Sequence, residues 1–272
     1  MWRVGIDVGG TFTDLFAWEE GSQRQLTAKV LTTRDDRSRG VMQALQRAGI
    51  RAEEISHLMH GTTTATNALI TREYPECAMI TTDGFRDTIE IGRQHRAHLY
   101  DPYQQKPRPL IKRRYRYTIN ERIDVQGAIV RELDEAQARA IAERIGAHGI
   151  QSVAIAFINA YVNDCHEQRM RDIVLAANPG IYCVTSADTR PVFREHGRFV
   201  TTAVRAATMP VMEQYFARLE AALSEAGFTG RLLILKSSGG ITGVDHAKNH
   251  PEELIESGPA GGVAYAAHLS AL

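Results

Sequence analysis

The sequence predicts an α/β fold. Strand-like and helix-like stretches alternate along the whole chain, as they do in layered α/β proteins. Neither an internal repeat nor a low-complexity linker interrupts this alternation. The chain has 272 residues, of which 43% are hydrophobic, enough to bury the core of one large domain or of two smaller ones.

The opening elements follow from local pattern. Residues 3–7 and 14–18 are predicted to form neighbouring strands, with a tight Gly-rich turn between them. Hydrophobic positions at helical spacing predict a helix over residues 37–48 that ends at Gly49. Residues 77–81 are predicted to form a short apolar strand that is closed by Asp83 and Gly84.

The later elements continue the alternation. Asp134 is expected to cap an amphipathic helix that ends near Gly149. Asp164, followed three residues later by Glu167, resembles a capping box at the start of a helix that ends near Pro179. The remaining predictions are strands at 153–158 and 232–235, a helix at 201–226 bent near Pro210, and a short apolar helix that ends at Leu272.

Charge and cysteine content exclude several classes of protein. Lys plus Arg and Asp plus Glu both number 32, so no overall field attracts nucleic acid or an anionic membrane, and weak repulsion favours an oligomer. The three cysteines lie far apart, which fits neither a disulfide framework nor a zinc site. Because we find no secretory signal and no apolar run of membrane-spanning length, we expect a soluble cytoplasmic protein.

The strongest functional signal is the turn between the first two strands. Its adjacent glycines, Gly9 and Gly10, let the backbone approach a ligand closely, so that successive N–H groups converge on phosphate oxygens. Thr11 and Thr13 add hydroxyl donors to this anion cradle. The turn matches neither the P-loop nor the dinucleotide-binding pattern.

Two carboxylates flank the glycines. Asp7, at the end of a strand, suits a magnesium ion held through water, because magnesium releases its waters reluctantly. Asp14 plays a similar part or caps the turn. The alternative interpretation is a β-hairpin whose glycines only reverse the chain.

Residues 7–14, DVGGTFTD, resemble the first phosphate loop of the actin-like ATPase fold, which sugar kinases, actin and the large heat-shock chaperones share. Further segments are similar to hydantoinase A and 5-oxoprolinase, and they occur in family order over nearly the whole chain. They are HGTTTATNAL (60–69), TTDGFRD (81–87), EIGRQ (90–94), LYD (99–101), ERI (121–123), PVFRE (191–195) and SGPAGG (257–262).

The resemblance implies a fold and a domain organisation. We expect an actin-like (ribonuclease-H-like) ATPase lobe with an additional α/β domain, and ATP in a cleft between two lobes. Residues 1–190 are expected to form the N-terminal region with the first phosphate loop, and residues 191–272 to begin the hydantoinase A core region. Family members continue into a second, similar loop, so we expect ATP turnover to need residues beyond Leu272 or another chain.

The resemblance also implies ATP, magnesium and a reaction in which phosphorylation activates a carbonyl oxygen. In hydantoinases and oxoprolinases this opens a cyclic amide, and in related carboxylases it prepares a ketone for carboxylation. A partner subunit of the hydantoinase B type is implied as well. A cyclic-amide hydrolase is our leading expectation. A subunit of an ATP-dependent ketone carboxylase and a non-catalytic assembly subunit are the alternatives.

Two groups of site residues are expected from the resemblance. At the turn, Asp7 and Asp14 are expected to be catalytic, with Asp7 holding magnesium, and the ATP phosphates to be bound by Gly9, Gly10, Thr11, Phe12 and Thr13. The second group is expected near substrate or cleft: His60, Thr62, Thr63, Asn67, Arg93, Gly258 and Gly261. Each of these positions also has a structural alternative. The threonines could cap the start of a helix against which His60 packs, and Arg93 could belong to a solvated loop. The two glycines could allow close packing of a small-residue helix.

Some features stay unassigned. The pairs His57/His60, His95/His98 and His246/His250 have spacings compatible with a metal on a helix, but without a suitably placed Glu, zinc is disfavoured. The basic stretch at 106–116 suggests a docking surface. Because the chain is neutral overall and shows no RNA-binding signature, a partner interface or a solvated segment is favoured over nucleic acid.

Overall fold

The computed structural model describes residues 1–33, 35–95, 98, 100–261 and 263. Among these residues, no helix combines the length and apolarity needed to cross a membrane. The chain divides into two compact units, the first formed by residues 1–73 and 211–272 and the second by residues 74–210. The boundary at residue 190 inferred from the family motifs stays a prediction.

Strands and helices alternate as expected, which confirms the α/β class. The strands are β1 (Trp2–Val8), β2 (Phe12–Glu19), β3 (Gln25–Leu31), β4 (Ile55–Thr62), β5 (Cys77–Thr82), β6 (Arg116–Ile119), β7 (Arg122–Ile123), β8 (Ile129–Arg131), β9 (Ser152–Ala156), β10 (Tyr182–Thr185), β11 (Arg231–Leu235) and β12 (Ile241–Gly243). The α-helices are α1 (Arg37–Ala48), α2 (Thr64–Thr71), α3 (Thr88–Ile91), α4 (Glu135–Ala147), α5 (Cys165–Ala177), α6 (Ser186–Thr189), α7 (Glu195–Glu225) and α8 (Val244–Asn249).

The first unit is built on a six-stranded sheet with the order β12-β11-β4-β1-β2-β3. The strands β1, β2 and β3 form antiparallel pairs, whereas β4 runs parallel to β1 and to β11. Alternate β1 residues, Val4, Ile6 and Val8, are buried in a core with α1 and the last part of α7. The residues between them face the opposite side of the sheet, which contains the candidate site.

Helix α1 shows why the local predictions for this unit succeeded. Asp36 caps its first turn, accepting a hydrogen bond from the Ser38 N–H at 3.1 Å. Gly49 ends the helix with φ 68°, a left-handed conformation that glycine adopts without steric cost. The observed helix therefore has the bounds that the sequence predicted.

The second unit is built on a four-stranded parallel sheet with the order β10-β9-β5-β6. One face packs against α4 and α5, and the other against the first part of α7. Both faces are buried, so β5 and β9 are apolar or small along their length, as is typical of parallel sheets. Asp134 caps α4 as predicted, accepting from the Gln137 N–H at 2.9 Å.

The capping box predicted at α5 was wrong. Asp164 makes no side-chain cap bond, and Glu167 is fully buried instead of folding back on its own helix. The Glu167 carboxylate accepts hydrogen bonds from the Phe157 N–H at 2.7 Å, the Ser186 hydroxyl at 2.6 Å and the Ala187 N–H at 2.9 Å. Glu167 of α5 therefore binds the residue just after β9 and the start of α6. These buried partners replace the backbone N–H of its own helix that a capping box would use.

One further prediction differs at its start, and another is described only in part. Helix α7 begins at Glu195, earlier than the predicted residue 201, and contains Pro210 within its length. The last predicted helix begins with helical residues 257–261, and residues 264–272 lie outside the described part of the chain.

Candidate functional site

The predicted phosphate turn lies at the end of the β1–β2 hairpin. Asp7 and Asp14 pair directly across the two strands, so both carboxylates are on the same face of the sheet. The Gly9 N–H donates to the Phe12 carbonyl at 3.0 Å and closes the turn. Gly10 and Thr11 are exposed at its tip.

The two carboxylates have different partners. The Lys29 ammonium, opposite Asp14 on β3, lies 2.8 Å from the Asp14 Oδ1 and compensates its charge. Within the described residues, no Lys, Arg or His lies within 4.0 Å of the Asp7 carboxylate. Partial desolvation, and then the like charge of Asp14, raise the pKa of the Asp7 carboxyl above its ordinary value. A cation beside Asp7 would offset both effects.

A cleft of about 940 Å³ opens over this face, and both carboxylates line it. Gly61 of β4 pairs with Asp7, and a Cβ there would lie 2.9 Å from the Asp7 Oδ1. A Cβ at Gly258 would lie 3.7 Å from both Asp7 oxygens. Two glycines from separate parts of the chain therefore leave space around this one carboxylate.

The helical residues 257–261 are anchored where they approach the cleft. The buried Ser257 hydroxyl donates to the Thr62 carbonyl at 3.3 Å, and the Glu256 N–H donates to the Thr66 hydroxyl at 3.2 Å. A Cβ at Gly261 would lie only 2.7 Å from Leu235 Cδ2. Close packing thus explains Gly261, while Gly258 lies beside the Asp7 carboxylate.

Residues of the turn divide between the two faces of the sheet. Phe12 is 42% exposed, and the Lys29 ammonium lies 4.7 Å from its ring centroid. Thr13 is fully buried, with its hydroxyl 3.0 Å from that of Thr32. Side chains alternate along a strand, so Thr13 points away from the face that Asp14 occupies. Of the two hydroxyls expected in the cradle, the structure exposes Thr11 and not Thr13.

His60 and Thr62 also lie on the buried face of the sheet, not in the cleft. The His60 Nε2 is 2.6 Å from the Tyr215 hydroxyl, and burial lowers the pKa of His60 to about 4. The Thr62 hydroxyl accepts from the Thr64 N–H at 3.2 Å at the start of α2. The structure favours the capping-and-packing alternative for both residues. It also identifies Tyr215 as the partner of His60, which the long helical pattern over residues 201–226 did not indicate.

Thr63 and Asn67 lie beside the turn. The Thr63 N–H donates to the Val8 carbonyl at 3.1 Å, which ties the start of α2 to the end of β1. The Asn67 amide donates to the Thr63 hydroxyl at 3.0 Å, and its Nδ2 would lie 3.5 Å from a Cβ at Gly10. Asn67 thus borders the tip of the turn.

The other predicted positions lie apart from this cleft's lining. Arg93 is exposed in the second unit, and its role stays a prediction. In the first unit, His246 and His250 stack at 4.4 Å, and the Glu253 carboxylate lies 3.0 Å from the His246 Nε2. The fold thus supplies the carboxylate that the sequence spacing did not indicate, and the Lys236 ammonium compensates it at 3.2 Å.

The residues at the turn fit a magnesium ion with a phosphate ligand. Asp7 offers a hard oxygen ligand that no cation of the described residues compensates, in a cleft where glycines leave space around it. The exposed residues Gly10 and Thr11 offer backbone N–H groups and the hydroxyl of the Thr11 side chain.

Comparisons with known proteins find similarity over most of the chain. The family model described as the hydantoinase/oxoprolinase N-terminal region matches residues 3–177, and the model described as hydantoinase/oxoprolinase matches residues 198–272. An uncharacterised protein of Methanocaldococcus jannaschii is 40% identical over 99% of this chain and 40% of its own length. The caprolactamase subunit alpha of Pseudomonas jessenii is 32% identical over 96% of this chain and 39% of its own length.

Solved structures extend the likeness to three dimensions. A nucleotide-free acetone carboxylase matches with a TM-score of 0.84 and 27% identity, over 99% of this chain and 41% of that one. The ATP-dependent caprolactamase from Pseudomonas jessenii matches with a TM-score of 0.81 and 31% identity, over 95% of this chain and 39% of that one. The chain thus spans about two fifths of the length of these relatives. It belongs to the hydantoinase/oxoprolinase family and has that family's ATPase-type α/β fold.

Proposed function

We propose that the protein takes part in ATP-dependent hydrolysis of a cyclic amide, and that this chain supplies the first phosphate-binding loop. The observation that supports this proposal most directly is the position of the Asp7 carboxylate. It has no cation partner among the described residues, and it lies in a cleft whose glycines leave room around it. The name of one relative, an ATP-dependent caprolactamase, supports cyclic-amide hydrolysis, and the ATP-dependent carboxylation by the acetone carboxylase supports the use of ATP.

The chemistry explains why such a loop is needed. An amide oxygen is a poor leaving group, and an unstrained ring resists attack by water. Transfer of the γ-phosphoryl group of ATP to the carbonyl oxygen releases ADP and makes the ring carbon electrophilic. Water then attacks that carbon, and ring opening with release of phosphate completes the hydrolysis. Phosphoryl transfer depends on positioning and charge neutralisation more than on covalent participation by the protein.

The residues of this chain have distinct parts in that scheme. Asp7 would hold magnesium through water, and the bound ion would neutralise phosphate charge. The N–H groups near Gly10 and the Thr11 hydroxyl would orient phosphate oxygens, with Asn67 bordering them. The charge of the Asp14 carboxylate is compensated by the Lys29 ammonium, so we propose that Asp14 contributes negative charge near the site and does not bind the metal directly.

Ketone carboxylation is the second candidate. The acetone carboxylase structure favours it, because its TM-score of 0.84 is as high as that of caprolactamase at 0.81. Both reactions phosphorylate a carbonyl oxygen, so the same loop serves either. We also propose a hydantoinase B-type partner subunit and an oligomeric assembly, in keeping with the subunit designation of the caprolactamase relative.

The substrate class is tested by measuring ATP hydrolysis by the assembled enzyme with different carbonyl compounds. Lactams, hydantoin and 5-oxoproline are expected to stimulate it, while ketones with bicarbonate would do so in a carboxylase. Stimulation by ketones alone would overturn the amide assignment, and stimulation by neither class would leave the assembly-subunit alternative.

The role of the loop is tested by Asp7→Asn in the same enzyme. We expect ATP hydrolysis to fall by at least about a hundredfold, because charge stabilisation at the phosphates is lost. Asp35→Asn is the matched control, since Asp35 pairs with Arg39 at 2.9 Å on an exposed surface. Equal activity of the two variants would refute the assignment of Asp7.

A further inference from the structure

The second unit contains an arginine-lined pocket that the proposed function leaves unused. Its volume is about 530 Å³, and it lies beside β6 and α4, with β6 at the edge of the sheet. It includes the end of the basic stretch noted in the sequence. Arginine residues from several parts of the second unit line it: Arg86, Arg113, Arg114, Arg116 and Arg144.

Some of these arginines are structural. Arg116 is 5% exposed, and its guanidinium contacts the Glu90 carboxylate at 2.6 Å and the Ile111 carbonyl at 3.0 Å. Arg113 makes a two-pronged contact with Asp87, at 3.0 and 3.1 Å. These two arginines shape the pocket wall, and their charges are already compensated.

Other guanidinium groups lack such compensation. Within the described residues, no carboxylate lies within 4.0 Å of Arg114 or Arg144. Each instead lies over an aromatic ring, Arg114 at 4.7 Å from the Tyr115 centroid and Arg144 at 5.3 Å from that of Tyr117. Rings hold the guanidinium planes in place without neutralising them, which leaves their N–H groups available to an oxyanion.

The hydroxyl of Tyr117 provides independent evidence for a ligand. Tyr117 is 5% exposed and lines the pocket, yet its buried hydroxyl has no hydrogen-bond partner among the residues that the structure describes. An unsatisfied buried hydroxyl is costly, and such groups are rare in folded proteins. Burial raises the pKa of Tyr117, so the phenol keeps its proton and can donate it in a hydrogen bond.

We propose that this pocket binds a small, multiply charged oxyanion, held by Arg114 and Arg144 and by the Tyr117 hydroxyl. Guanidinium groups match phosphate and carboxylate oxygens in geometry, and a ligand of either kind would satisfy all three groups at once. The volume suits a metabolite, not an extended polymer. Phosphate esters and polycarboxylates share this chemistry, and different probes distinguish them.

The test is calorimetric titration of the assembled enzyme with pyrophosphate and with citrate at constant ionic strength. We expect saturable binding of at least one probe, and the tighter of the two identifies the phosphate or the polycarboxylate class. Arg144→Gln and Arg114→Gln should each weaken that binding by about tenfold, and Tyr117→Phe by a smaller factor. Tm measurements on each variant check that the fold is intact.

Arg139→Gln is the matched control, because Arg139 is also on α4 but pairs with Glu135 at 2.9 Å outside the pocket lining. It should leave binding unchanged. Pyrophosphate that binds at the phosphate turn near Asp7 would still bind to the Arg144→Gln variant. Loss of pyrophosphate binding in that variant therefore shows that the arginine-lined pocket is the site. The proposal is overturned by the absence of saturable binding for both probes, or by equal binding in the Arg144 and Arg139 variants.

Discussion

Acidification should destabilise the first unit through one buried side chain, His60. Its ring is fully buried on β4, and burial lowers its pKa from 6.5 to about 4. In the unfolded chain the ring is protonated below about pH 6.5. The contribution of neutral His60 to stability is therefore complete above that pH and is lost as the pH falls towards 4.

The size of the effect follows from the interval between the two pKa values. An interval from 6.5 to about 4 corresponds to about 3 kcal/mol of unfolding free energy, most of it lost by about pH 4.5. Domains are commonly stable by only about 5–15 kcal/mol, so this loss would be measurable. His60→Gln removes the titrating group and keeps a side chain able to bond the Tyr215 hydroxyl.

Tryptophan fluorescence is a suitable assay, because both tryptophans of the chain, Trp2 and Trp18, lie in strands of the first unit. Urea unfolding of the wild-type protein and of His60→Gln should be compared at about pH 7.5 and about pH 4.5. We expect the wild type to lose about 2.5 kcal/mol more than the variant between these values. Equal losses in both proteins would show that His60 does not titrate with folding.

Further predictions concern other buried groups and the glycines. Burial raises the pKa of Glu167 to about 7, so the carboxyl group is protonated in the folded protein over a pH range where it ionises in the unfolded chain. The unfolding free energy of the wild type, relative to that of Glu167→Gln, should therefore fall by about 3 kcal/mol as the pH rises from about 4.5 to 7. A difference between the two proteins that does not change with pH would contradict this. Gly230→Ala would place a Cβ 2.4 Å from a backbone oxygen and should cost about 3 kcal/mol in denaturant unfolding. Gly240→Ala, whose Cβ would lie at an ordinary contact distance of 3.7 Å from the Ser238 Oγ, should cost under about 0.5 kcal/mol. Gly61→Ala should displace the Asp7 carboxylate and weaken magnesium-dependent ATP binding about tenfold, with the Tm unchanged. Unchanged ATP affinity in calorimetry would argue against a role of the Asp7 carboxylate in holding magnesium.

Elements with strong local signals were predictable. Helix α1 combines a capping Asp36, hydrophobic positions at helical spacing and a left-handed Gly49, all within one short segment. The same reasoning failed at Glu167, whose spacing from Asp164 fits a capping box. Its carboxylate instead accepts bonds from residues near positions 157 and 187, and a local pattern holds no information about such partners.

The candidate site shows the same division. The glycine turn, its flanking aspartates and, through ordered motifs, the family follow from the amino-acid sequence alone. Which side chains reach the open face depends on the three-dimensional fold: Asp7 and Asp14 do, while Thr13 and His60 are buried. It also brought Gly61 and Gly258 to the Asp7 carboxylate. Strand register and helix docking set these contacts, and both depend on packing between segments distant in sequence, which no local pattern encodes.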